Sequence, residues 1–403
     1  MLMSPEITPG GYTPPERRLL GPGPSDISTR VLQALAKPTI GYLDPSFVGM
    51  MEELKALLRY SFQTRNALTF PVSGPGSAGM EMCFVNLVNP GDKVIVCRNG
   101  VFGGRMVENV ERCGGIPVIV DDVWGTPVDP QKVADAFRQH PDACVLAFVH
   151  AETSTGALSD ADTLCRIARE HDALTIVDTV TSLGGVPVLV DQWRADAVYS
   201  GSQKCLSCTP GLSPITFSER AVDTVKGRNR KSQSWFLDLN LLLGYWGETT
   251  RTYHHTAPTN SLYALHEALR VLQQEGLENA WARHRSNHLA LKAGLAELGI
   301  EFVVAEDARL PQVNSIHIPG GLDDKQVRGA LLQQHGIEIG AGLGALAGKI
   351  WRIGLMGYSS RVENVIACLN AMESVLMAQG VKAEPGSAVA AAYRAYAAQA
   401  TAR

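Results

Sequence analysis

The stretch from Asp196 to Lys204, DAVYSGSQK, is built to deliver a single amine. A short apolar run, Ala197-Val198-Tyr199, stops at Ser200-Gly201. Two polar side chains, Ser202 and Gln203, follow, and then one lysine set apart from other basic residues. Upstream, Thr175-Ile176-Val177-Asp178 is a second apolar run that ends in a carboxylate. The sheet reading puts Asp178 and Lys204 at one edge of one sheet. A buried amine and a carboxylate there suit pyridoxal phosphate. The amine condenses with the cofactor's aldehyde, and the carboxylate keeps the pyridine nitrogen protonated. Such a lysine must work as a neutral amine that moves a proton at the substrate Cα, far from its ordinary pKa of about 10.4.

A phosphate asks for backbone donors. Leu68 to Val72 reads as a strand feeding Ser73-Gly74-Pro75-Gly76-Ser77-Ala78-Gly79, which opens a helix through Val88. Small residues at a helix start let N–H groups and the helix dipole meet an anion, which makes Gly76 and Ser77 candidates. Arg352, in Ile350-Trp351-Arg352-Ile353-Gly354, is the candidate for a substrate carboxylate, because its planar fork matches one. Tyr253-His254-His255-Thr256 reads as a polar loop and not as a metal site, since no carboxylate or cysteine stands beside the histidines. Cys205-Leu206-Ser207-Cys208 has no second CxxC to complete a zinc site, and both cysteines read as packing residues.

Positioning these groups needs an ordered series of strands and helices. Lys93 to Cys97 leads to Val101–Glu111, Pro117 to Val120 leads to Pro130–Gln139, and Ala143 to Val149 leads to Asp160–Glu170. Ala173 to Asp178 and Ala197 to Ser200 continue the series, and Gly211–Phe217 reads as a returning strand. The alternation predicts an α/β fold: a mostly parallel sheet covered by helices, with ligands at the carboxyl ends of its strands. Past Gln312, two strands (Gln312–Ile318 and Trp351–Gly354) and two helices (Asp323–Gln334 and Arg361–Met377) predict a small α+β unit. The expected division is an extended N-terminal arm over 1–24, a large cofactor-binding domain over 25–280, a small C-terminal domain over 281–380 and a tail over 381–403. The tail is alanine-rich, reads as a marginal helix or disorder, and receives no chemistry.

These motifs together resemble the class V aminotransferases, fold-type I enzymes that use pyridoxal phosphate. The likeness rests on Ser200-Gly201-Ser202-Gln203-Lys204 and on the VDTVTSLGG stretch that begins at Val177. The YHHT loop, Asn260 to Leu265 and Gln274 to Asn279 narrow it toward alanine–glyoxylate aminotransferases and their serine-using relatives. The resemblance implies further roles. Phe102 stacks on the cofactor ring, where many relatives carry tryptophan. Val180 packs under the ring, and Thr153 contacts its side. Gln203 joins Gly76 and Ser77 around the phosphate, with Ser202 close by; some relatives have histidine in place of Ser77. Tyr253 and Thr256 come from the other subunit of a homodimer with shared sites, and the N-terminal arm wraps the neighbour. Gly41 and Tyr42 line the substrate mouth, where several relatives have histidine in place of Tyr42.

Composition excludes other classes. The chain has 403 residues, a formal charge of −4 and a hydrophobic share of 45%, with mean hydropathy +0.00. No long basic run points to nucleic acid, and no apolar stretch approaches the ~18–20 residues of a membrane span. The N-terminus lacks the pattern of a signal peptide, and eight scattered cysteines point to a reducing cytoplasm. The expected reaction is transfer of an amino group from alanine or serine to glyoxylate, giving glycine and pyruvate or hydroxypyruvate. Rival readings are another small donor (2-aminoethylphosphonate or ureidoglycine), a pyridoxal phosphate lyase or desulfurase, or a scaffold that has lost turnover.

Overall fold

The computed structural model describes residues 10–247 and 251–401. Its centre is a seven-stranded sheet in the order Leu68–Ser73, Leu212–Phe217, Ala197–Tyr199, Leu174–Asp178, Ala143–Val149, Lys93–Arg98 and Ile116–Asp121. All pairings from Ala197–Tyr199 to Ile116–Asp121 are parallel, and Leu212–Phe217 runs antiparallel to both its neighbours. The strands at the middle of the sheet are buried along their whole length, which is why Ala143–Val149 and Leu174–Asp178 read as continuous apolar runs and not as alternations. Register pairs Asp178 directly with Tyr199. The two site strands therefore end level, and the chain after each turns into the same cleft.

A second, smaller sheet joins Val313–His317, Ile350–Gly354 and Gly340–Ala341 antiparallel. Its helices Asp324–His335 and Val362–Ala378 close a separate apolar core that includes Trp351, Ile353, Leu369 and Met372. That core also draws on Leu20, from the start of the chain, and on Ala388 and Ala392, from its end. Arg18–Leu19 pairs parallel with Ile337–Glu338, so the arm is tied to the small sheet before it crosses to the large one. Residues 1–9 of the expected arm lie outside the described residues. Where the sequence left a marginal helix or disorder, Ser387–Thr401 is a helix packed along Leu277–Glu297. Glu373, from the helix Val362–Ala378, accepts hydrogen bonds from the N–H groups of Gly386 and Ala388 and caps it from outside. Gly294 lets it come close, since a Cβ there would stand 2.8 Å from the Ala388 carbonyl oxygen. No helix among the described residues is long and apolar enough to cross a membrane.

His150 and His284 are among the histidines buried as neutral groups. His284 accepts from the Gly357 N–H at 2.9 Å through Nε2, and its Nδ1 donates to the Ala280 carbonyl at 2.6 Å. Burial, with Arg283 nearby, pushes its pKa down to about 3, and burial pushes that of His150 down to about 4. Unfolding frees both to bind protons near pH 6.5, so the unfolded chain takes up more protons in acid. Stability is complete above pH 6.5 and falls as pH drops toward 4, at roughly 1.4 kcal/mol per pH unit for each histidine. Thermal melts across this range should fall accordingly, and a His284→Gln variant should show a shallower fall; equal slopes would refute the assignment.

Candidate active site

Lys204 follows the strand Ala197–Tyr199 and lies beneath the N-terminal crossing. Its Nζ donates to the carbonyl of Pro22, and Ser25 fixes the same segment by donating to the backbone oxygens of Gln203 and Lys204. Burial lowers the lysine pKa to about 8; the Arg352 charge adds to this, while Cys205 and Asp178 oppose it. The neutral amine is thus accessible near neutral pH, which a surface lysine does not offer. Gly23 sits against this amine with φ of +106°, and a Cβ there would lie 2.3 Å from Nζ. A Gly23→Ala variant must therefore move the lysine as well as strain its own backbone. It should fold yet lose about a hundredfold in kcat, the scale of a 1 Å misplacement at a reacting group. Steady-state kinetics on the loaded protein check this, and a wild-type kcat would count against it.

Asp178 is 3% exposed, and both its oxygens are held. Oδ1 accepts from the Val180 N–H at 2.8 Å, and Oδ2 accepts from the Tyr199 hydroxyl at 2.7 Å. Burial raises its pKa to about 7. The two donors and Lys204 oppose that rise, and Glu152 adds to it. A positive ring nitrogen brought to this carboxylate would relieve the cost of burying it.

The helix Gly76–Leu87 opens at the same edge. Its N-cap is Pro75, which has no side-chain acceptor, so the first N–H groups are left without a cap. A Cβ at Gly76 would approach Val180 Cγ2 at 3.2 Å and the Ser200 carbonyl at 3.5 Å, so the helix start packs closely on the sheet edge. Ser77 is exposed there. Gln203 stands alongside, and its buried Oε1 has no partner. Ser202 does not join this group: its hydroxyl donates to the Thr209 carbonyl at 2.6 Å.

Phe102 lies half-buried in the first turn of the helix Val101–Arg112, with the Arg105 guanidinium 4.8 Å from its ring centroid. A residue the sequence reading passed over holds that turn. Glu152 is fully buried, accepts from the Phe102 N–H at 3.2 Å and from Ser154 N and Oγ, and fills the space a Cβ on Gly100 would need. A glutamate three residues past the apolar run Ala143–Val149 was the available signal, since a carboxylate buried there must find donors. Between Glu152 and Ser154, Thr153 pairs its hydroxyl with that of Thr181 and gives its carbonyl to Arg352 Nη1 at 2.9 Å. Arg352 is 6% exposed and also donates from Nε to the Ala341 carbonyl at 2.8 Å. Burial lowers its pKa to about 10, with Glu152 opposing, so it stays charged. The small sheet's arginine is thus locked onto the large domain's turn.

The remaining candidates stand elsewhere. Tyr42 and Tyr253 meet as a tilted pair with ring centroids 5.5 Å apart, and Tyr253 is 60% exposed. Thr256 and Gly41 are exposed, and a Cβ at Gly41 would meet nothing within 4 Å. His255 anchors the loop to the end of the first site strand, with Nε2 2.7 Å from Ser73 Oγ. Cys205 and Cys208 are buried, at 4% and 0% exposure.

An amine of lowered basicity, a buried carboxylate and a helix start without a side-chain cap fit a phosphate-bearing pyridine aldehyde. The comparisons agree. The model of the family "Aminotransferase class-V" matches residues 33–365. The chain is 39% identical over 400 residues to the (S)-ureidoglycine–glyoxylate transaminase of Bacillus subtilis, covering 95% of this chain and 96% of that one. It is 39% identical over 365 residues to the alanine–glyoxylate aminotransferase of Rattus norvegicus, covering 90% and 88%. The crystal structure of an alanine–glyoxylate aminotransferase from Nostoc sp. superposes with a TM-score of 0.90 at 46% identity, covering 92% of this chain and 98% of that one. The chain belongs to the class-V aminotransferases, pyridoxal phosphate enzymes of fold type I.

Proposed function

We propose that this protein transfers an amino group from alanine or serine to glyoxylate, forming glycine. One observation carries the reading: the buried Lys204 amine, with its basicity lowered, feels the charges of both Arg352 and the Asp178 carboxylate. Two relatives of equal identity carry glyoxylate in their names and differ in the donor. Glyoxylate is therefore the better supported substrate, and ureidoglycine is the second candidate donor.

Bound, the cofactor supplies a ring that draws off the electrons of the substrate Cα–H bond. The rest is the work of side chains. Arg352 holds the substrate carboxylate with the donors left over from Ala341 and Thr153, and so aims Cα at Lys204. Lys204 would be the base that takes the Cα proton and, as its conjugate acid, gives it back. Asp178 would pair with the cofactor's ring nitrogen, Phe102 and Val180 would pack against the ring, and Thr153 would contact its side. Gly76, Ser77 and Gln203 would hold the phosphate. Tyr253 and Thr256 serve the partner's site in a homodimer, which their exposure supports, and Gly41 and Tyr42 line the substrate mouth. The two apolar cores support the large and small domains proposed, and eight unpaired cysteines support a reducing, cytoplasmic setting.

The test is a half-reaction. Loaded protein is mixed with alanine, serine, ureidoglycine, 2-aminoethylphosphonate or cysteine, one at a time, and the visible absorbance of the bound cofactor is followed. Bleaching by alanine or serine, restored by glyoxylate with release of glycine, is expected. Bleaching by ureidoglycine alone would transfer the reading to that donor, and ammonia or sulfide release without bleaching would move it to a lyase. Sharing of sites has its own check. Lys204→Ala and Thr256→Glu homodimers should each be inactive, and a mixed dimer should regain activity through its one intact site; a mixed dimer that stays inactive would argue for self-contained subunits.

A further inference from the structure

We propose that Tyr199 is a positioning residue for Asp178: its hydroxyl, donating to one carboxylate oxygen, fixes the plane of that carboxylate and keeps its charge facing the cofactor's ring nitrogen. The inference rests on the proposed role of Asp178. Tyr199 is fully buried and closes the same short strand that delivers Lys204. The parallel register sets it opposite Asp178, so both side chains leave the sheet on one face. Its hydroxyl lies 2.7 Å from Asp178 Oδ2, while the Val180 N–H holds Oδ1 at 2.8 Å. With an anchor on each oxygen, the carboxylate cannot rotate about its last bond.

Gly79 of the helix Gly76–Leu87 packs against the root of this side chain, since a Cβ there would lie 3.2 Å from Tyr199 Cβ. The helix that offers its start to the phosphate therefore also backs the tyrosine. Packing alone does not explain the hydroxyl, because phenylalanine would fill the same apolar space; a buried hydroxyl is kept for the partner it meets.

The groups facing Asp178 define what this donor does. Glu152, from the turn after Ala143–Val149, raises its proton affinity, and Lys204 lowers it. Cys83, on the helix Gly76–Leu87, is held neutral by burial, as is Tyr199. Tyr199 is thus a neutral donor that supports the carboxylate without competing for its charge. Without the hydroxyl the buried carboxylate becomes more basic. A proton shared with the ring nitrogen then moves toward Asp178, and the ring draws electrons less strongly.

The experiment compares wild type, Tyr199→Phe and Asp178→Ala. In protein without cofactor, ¹³C NMR follows the Asp178 carboxyl, whose midpoint should rise above about 7 in Tyr199→Phe. In protein loaded with ¹⁵N-labelled pyridoxal phosphate, the ring-nitrogen resonance should shift toward the unprotonated form. The kcat should fall about tenfold to a hundredfold with KM little changed, the range of one hydrogen bond to a charged group. A wild-type midpoint and nitrogen resonance in Tyr199→Phe, with the resonance altered in Asp178→Ala, would overturn the proposal alone. An unaltered resonance in Asp178→Ala would overturn the role of Asp178 and the proposal together. Should the phenylalanine variant not fold, 3-fluorotyrosine at position 199, a stronger donor, should move the carboxyl midpoint down, and a fixed midpoint would refute the idea.

Discussion

A Lys204→Ala protein should fold, bind pyridoxal phosphate without covalent attachment, and lose at least about four orders of magnitude in turnover. General acid–base catalysis by one side chain contributes up to about 10⁴, and loss of the attachment step adds to it. Folding survives because the lysine is a net strain on the native state. Its burial lowers the amine pKa to about 8, the sign of a charge held at a cost. Truncation removes that cost and leaves only the Pro22 carbonyl without its donor. Melting temperature should therefore change by a few degrees at most, while the visible absorbance of the attached cofactor disappears. The sign of the pH effect in wild type follows from the same burial. Attachment needs the neutral amine, so reloading of cofactor-free protein should speed up as pH rises to about 8 and level off above it. A Lys204→Ala protein that kept both the absorbance and the turnover would end this reading.

The sheet edge was legible before the structure because its signals are local. Asp178 and Lys204 each stand just past a short apolar run, and parallel pairing of two such runs leaves little freedom in where their ends fall. Gly76 was legible for a similar reason: a glycine at the junction of a strand and a helix implies close approach. What sequence could not give is contact made over long separations by single residues. The Pro22 carbonyl meets Lys204 across 182 positions, and no periodicity marks it. Glu152 was overlooked because its local donors on Ser154 look like an ordinary turn, while its contact with the Phe102 N–H lies 50 positions away. Tyr199 read as the last apolar residue of its strand, since nothing local shows which way a tyrosine hydroxyl turns. The tail helix was hidden by uniformity. Alanine on all faces gives no apolar stripe, and its cap is supplied by Glu373 from a different helix.

An Arg352→Ala variant should lose about a hundredfold to a thousandfold in kcat/KM for both the amino acid and the 2-oxo acid. The range corresponds to about 2.7–4.1 kcal/mol, inside the roughly 2–5 kcal/mol for removing one partner of a buried, hydrogen-bonded charge pair. The two half-reactions should suffer alike, because the donor and the acceptor present the same carboxylate to the same fork. Arg352→Lys should recover little of this. Nε and Nη1 are already engaged with Ala341 and Thr153 at 2.8 and 2.9 Å, and the rigid plane of the guanidinium is what turns the remaining donors toward a third acceptor. A lysine offers a single nitrogen on a flexible stem and cannot hold two fixed carbonyls while meeting a carboxylate side-on. The control is a donor amine without an α-carboxylate. Its slow reaction in wild type should be nearly unchanged in Arg352→Ala, because the lost interaction never formed. Single-turnover rates with alanine, glyoxylate and a simple alkylamine decide the matter. If the alkylamine rate falls as far as the alanine rate, Arg352 acts by bracing the turn at Thr153 and not by binding substrate, and the carboxylate site must be sought elsewhere in the cleft.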